Sequence, residues 1–159
     1  MSATARGWVA FAAVAAGLLH VALAVGRPLE LAAILFVIGL VEFAWGAIVL
    51  SRSAVLAPEV TLPLALAPGI LWAVALFAHV PGLPLFPLAT TTLLELFIAV
   101  MIARSIRRVD EPAAPSPRRH ALGLALGLLV IAAVTLPALT FTQAEDPTSQ
   151  LPPPEHGHR

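Results

Sequence analysis

The chain has 159 residues, of which 59% are hydrophobic and only 11% charged, with a mean hydropathy of +0.93. A soluble domain carries roughly 25% charged residues, so there is too little polar side chain here to clothe a water-facing surface, and a bilayer is the solvent that fits. Zero formal net charge offers no field for nucleic acid or an acidic substrate, and the absence of Cys excludes disulfides, thiolate metal sites, Cys-held iron–sulfur clusters and Cys nucleophiles.

Crossing the hydrocarbon core takes about 20 apolar residues, and five runs of that order follow one another. The first covers about 7–25 and ends at Arg27-Pro28. The second covers 29–50 and ends at Ser51-Arg52-Ser53. The third covers 61–80 and ends at Pro81-Gly82; Pro63 and Pro68 predict a late start or a kink. The fourth covers 85–103 and is followed by Arg104, Arg107 and Arg108. The fifth covers 120–141, with Pro137 near its end. Residues 143–159 form a Pro-rich, acidic tail expected to be disordered. Continuous apolar runs specify helices, because a lone spanning segment must satisfy its own backbone; a barrel would show short alternating strands. The expected fold is therefore an all-α, five-span transmembrane bundle over residues 1–142.

Arginines in short loops set the orientation. Arg104, Arg107, Arg108, Arg118 and Arg119 gather between the fourth and fifth spans, which places that loop and the N-terminus in the cytoplasm and the C-terminus outside. The expected location is the bacterial plasma membrane. An alternative for the first run is a signal peptide cleaved after Ala22-Leu23-Ala24, although the run exceeds the usual 7–15 apolar residues. The loop Pro81 to Pro87 reads as a rigid turn in the outer interface, anchored by Phe86.

Four ionisable residues fall inside spans, where each costs a few kcal/mol and normally faces protein or water: His20, Glu42, His79 and Glu95. At 1.5 Å rise per residue, Glu95 lies near the midplane, Glu42 roughly 4 Å to the inner side and His20 roughly 6 Å to the outer side. His79 lies at the outer mouth. Helical neighbours at three and four residues share a face. His20 shares one with Ala16, Gly17 and Ala24, Glu42 with Gly39 and Gly46, and Glu95 with Thr91, Thr92 and Ala99. Small residues mark helix contacts in membranes, so His20, Glu42, Glu95, Thr91 and Thr92 are expected to converge on one buried polar cluster. Such a cluster could bind a cation or relay protons, since burial and a neighbouring carboxylate both disfavour the charged form of a carboxyl group. The competing reading is structural: neutral carboxyls bonding across helices to His20 or to the threonines.

Other features carry less. Gly123 and Gly127 form a G-x-x-x-G motif that could pack on the bundle or on a second copy. His156 and His158, beside Glu155, offer a metal site in the tail. His20 and His79 could ligate haem, yet their depths differ by roughly 7 Å, so no cofactor is assigned. No nucleophile–base–acid set and no phosphate-binding glycine loop is present, which disfavours an enzyme.

The order His20, Gly39-x-x-Glu42-x-x-Trp45, Leu71-Trp72, Gly82-Leu83-Pro84 and Leu94-Glu95 resembles a set of small multi-span membrane proteins of actinobacteria over roughly residues 10–103. Those proteins often carry Gln at the position of Glu42. Glu42-x-x-x-Gly46 is also similar to DoxX-like membrane proteins. The resemblance implies a fold and no activity. The leading expectation is a non-enzymatic accessory or small-ligand-binding bundle. The alternatives are a proton-coupled carrier or channel component using Glu42 and Glu95, and a haem- or quinone-associated redox protein using His20 and His79. The expected partners are the lipid bilayer and a second copy or another membrane protein.

Overall fold

A computed structural model describes residues 1–52, 55, 57–80, 83–107 and 116–144. Among them every regular element is an α-helix: α1 (Ala3–Ala24), α2 (Leu29–Ser51), α3 (Pro58–Phe77), α4 (Leu85–Arg107) and α5 (Pro117–Ala144). All five are long and apolar enough to cross a membrane. Their outer faces leave Val41, Leu64, Ile70, Leu93 and Leu129 mostly exposed. An apolar exterior on that scale suits lipid and not water, as in a multi-pass helical membrane protein.

The helix ends differ from the expected ones for local reasons. α3 starts early, at Pro58, because a proline at the first helical position forfeits a donor that has no helical partner anyway. Pro63 and Pro68 then sit inside the helix, each removing one backbone bond. α4 begins at Leu85, so Leu85, Phe86 and Pro87 belong to a helix and not to a turn, and Phe86 packs on Phe141 of α5 with ring centroids 5.0 Å apart. α4 also continues through Arg104 and Arg107, which occupy its last turn, where the negative end of the helix dipole favours cations. α5 begins at Pro117, again a first-position proline, and runs on through Gln143 and Ala144, which are therefore helical and not tail. The rest of the tail, with Glu155, His156 and His158, lies outside the described residues, as do Pro81, Gly82 and Arg108.

α1 is the central helix. It packs against α2, α4 and α5, while α3 lies on α4. Most of its buried residues are Ala or Gly, so neighbouring helices approach its backbone closely. The closest approach is to α2. A Cβ on Gly17 would lie 2.5 Å from the Gly39 carbonyl oxygen, one on Gly39 2.5 Å from the Gly17 carbonyl oxygen, and one on Gly46 2.9 Å from the Ala10 carbonyl oxygen. The α1–α2 turn is made by Gly26, at φ +74°.

α5 joins the opposite side of α1. Trp8 Nε1–H donates to the Gly123 carbonyl at 2.8 Å, and Thr4 Oγ1 bonds His120 Nδ1 at 2.8 Å. Gly127 passes the Trp8 ring, so the G-x-x-x-G face is occupied within the chain. The Thr4–His120 bond also puts the start of α1 and the Arg-bearing start of α5 at the same end of the bundle.

Enlarging Gly39 should force α1 and α2 apart. Gly39→Leu is expected to destabilise the detergent-solubilised protein by about 1–3 kcal/mol or more, read as a lower thermal unfolding temperature. Gly26→Asn should leave that temperature unchanged, because a Cβ there meets nothing within 4 Å and Asn tolerates positive φ.

Candidate buried polar cluster

His20, Glu42 and Glu95 meet. Each offers a ligand atom, and those atoms lie within 4.8 Å of one another. The arrangement follows from the α1–α2 contact. His20 is one turn beyond Gly17 and Glu42 one turn beyond Gly39 on antiparallel helices, so the two residues flank the glycine contact and their side chains meet across it. His20 Nδ1 and Glu42 Oε2 are 2.7 Å apart. On the other edge of the imidazole, Nε2 faces Glu95 Oε1 at 3.7 Å. The imidazole is fully buried and the Glu95 side chain is 2% exposed, whereas that of Glu42 is 18% exposed.

A fourth residue fixes the hydrogens. Trp72 of α3 stacks on His20, with ring centroids 6.1 Å apart at 24°, and its Nε1–H points at His20 Nε2 from 3.4 Å. An indole nitrogen can only donate. Nε2 therefore presents a lone pair, and the ring hydrogen sits on Nδ1, donating to Glu42. The carboxylate sets the tautomer, as a carboxylate does for a metal-bound histidine.

Glu95 is the unsatisfied member. Neither of its oxygens has a hydrogen-bond partner among the described residues. Its carboxyl group lies against Gly69 of α3, where an added Cβ would stand 3.2 Å from Oε2. Burying a polar group without a partner costs at least 1–3 kcal/mol by mutational measures. The buried apolar residues fall into two groups, one holding Leu19, Leu94 and Ile98 and the other Leu23, Trp72 and Leu88.

Thr91 and Thr92 do not join the expected network. Both hydroxyls donate to the Leu88 carbonyl at 2.9 Å, because a threonine within a helix finds a backbone acceptor in its own preceding turn. The cross-helix Glu–Thr bonds of the structural reading are thus absent among the described residues. His79 is also apart. It is exposed just beyond the end of α3, at φ 54°, and is not a member of the cluster. Haem ligation by His20 would have to displace either the Glu42 bond or the Trp72 contact.

Sequence reasoning passed over Trp72 and Gly69 as site residues. The signal for Trp72 was its N–H: an indole inside a span needs an acceptor, and His20 supplies it. Gly69 gave no such signal beyond its size.

Replacing Glu42 should expose its tautomer-setting role. ¹⁵N NMR of detergent-solubilised protein is expected to show His20 protonated at Nδ1. In Glu42→Leu, where only the long Trp72 contact is left to favour it, that signature should weaken and stability should fall by about 1–3 kcal/mol, while Glu42→Gln, whose amide oxygen still accepts, should retain the tautomer.

Comparisons with known proteins return no relative: no family model matches the chain, and neither a curated protein nor a solved structure does.

Proposed function

We propose that this chain is a non-enzymatic multi-pass protein of the bacterial cell membrane whose His20–Glu42–Glu95 cluster binds a small cationic ligand. The observation that carries the reading is Glu95, a buried carboxyl group whose two oxygens accept no well-formed hydrogen bond among the described residues and lie beside a second carboxylate and an imidazole lone pair. All three groups present acceptors. A cation or a charged hydrogen donor is their complement, and in a low-dielectric interior the attraction is strong. Arg6, Arg104, Arg107, Arg118 and Arg119 gather at the end of the bundle that holds the N-terminus, which supports an inside N-terminus and an outside C-terminus.

Isothermal titration of the purified protein with ammonium, Mg²⁺, Mn²⁺ and Zn²⁺ tests the reading. At least one should bind, and Glu95→Gln should weaken that binding by about tenfold, or 1.4 kcal/mol. No binding by any cation, or binding indifferent to Glu95, would count against it.

One observation favours a second reading, a proton-coupled carrier or channel component. A single imidazole reaches from the partly exposed Glu42 to the buried Glu95, which is the geometry of a proton relay. In proteoliposomes loaded with a pH-sensitive dye, wild-type protein should then pass protons, and Glu42→Gln and Glu95→Gln should each suppress the flux. Undiminished flux in both variants excludes the relay.

A further inference from the structure

Glu95 lies at the floor of a groove that faces the lipid. The groove, of about 240 Å³, runs between α3 and α4. It exists because α3 presents small residues there at a four-residue spacing, Ala65, Gly69 and Ala73, opposite Thr92, Glu95 and Leu96 of α4. The mouth is on the outer face of the bundle, where Ala73 and Leu96 are exposed. The lining is almost wholly hydrocarbon; Glu95 and Thr92 are its polar residues, and the Glu95 oxygens lie just beneath the groove floor, covered from the groove itself. The Thr92 hydroxyl hydrogen is committed to the Leu88 carbonyl, so Thr92 has only lone pairs to offer. Gly69 lets the Glu95 carboxyl group reach the groove floor, since any side chain there would press on Oε2.

An apolar groove with buried acceptors beneath its floor suits an amphiphile with a donor head that reaches them. We propose that the groove admits a hydrophobic primary or secondary ammonium compound sideways from the lipid phase, its apolar body lying between α3 and α4 and its ammonium group donating to Glu95 and Thr92. The inference rests on the cation-binding reading and adds the ligand class and the path. A hydrated inorganic ion would gain nothing from the hydrocarbon walls, whereas an amine with an apolar body gains from both ends of the groove.

Phenethylamine, its neutral counterpart 2-phenylethanol, and ammonium are titrated into protein in lipid nanodiscs, with empty nanodiscs subtracted for partitioning. Phenethylamine should bind about tenfold more tightly than 2-phenylethanol and than ammonium, a separation of 1.4 kcal/mol. Ala65→Phe and Ala73→Phe, which fill the groove, should weaken phenethylamine by a similar factor and leave ammonium unchanged. A diazirine-bearing phenethylamine should label the wild-type chain within 65–73 or 92–96, a readout that needs no variant to fold. Labelling elsewhere, equal affinity for the alcohol, or full affinity in folded groove-filled variants overturns the proposal. If ammonium binds in a Glu95-dependent manner and phenethylamine does not, lateral admission fails while the cation site stands. If neither binds, both fail.

Discussion

The rest of the structure depends on how closely the backbones of α1 and α2 approach. Lipid tails are as apolar as the helix faces, so burial alone gives helices in a membrane little reason to associate; close packing and a few polar bonds must do it. Gly17, Gly39 and Gly46 supply the packing, with backbone oxygens where side chains would otherwise stand. The polar bond spans the same contact, between His20 and Glu42. Because α1 also carries α4 and α5, the position of His20 fixes where every other group of the cluster must come.

His20 is the hinge of the site's chemistry. One nitrogen is held by Glu42 and the other is left as a lone pair beneath Trp72, turned toward Glu95. The two carboxyl groups are not equivalent. Glu42 has a short hydrogen bond and partial exposure, whereas Glu95 has no such bond among the described residues, only the His20 ring at 3.7 Å, and almost no exposure. A purely structural cluster would be expected to satisfy the more deeply buried of its two carboxyl groups first. Here that member is unsatisfied and borders a groove open to the lipid side, the pattern of a group kept for a ligand.

Much of this was legible in the sequence, for identifiable reasons. The spans show because a bilayer demands runs of apolar residues, and the cluster shows because an ionisable residue in such a run is costly enough to imply a partner. The rise along each helix put His20 and Glu95 about 6 Å apart in depth, a gap their side chains bridge. The threonines misled because composition shows a hydroxyl but not its preference for the carbonyl of its own helix. The start of α3 misled because Pro63 and Pro68 read as breakers by composition, whereas the helix begins before them at Pro58 and holds both within it. Trp72 and the groove depend on how α3 lies over α4, and no pattern within either segment encodes that.

His20 and Glu95 should behave as one coupled unit although no hydrogen bond joins them at 3.7 Å. A double-mutant cycle of His20→Ala and Glu95→Gln, measured as unfolding free energy in detergent, tests it most directly. The account predicts a coupling of about 0.5–3 kcal/mol between the two substitutions. Additive effects, with a coupling indistinguishable from zero, would contradict it and reduce the cluster to two unrelated buried groups.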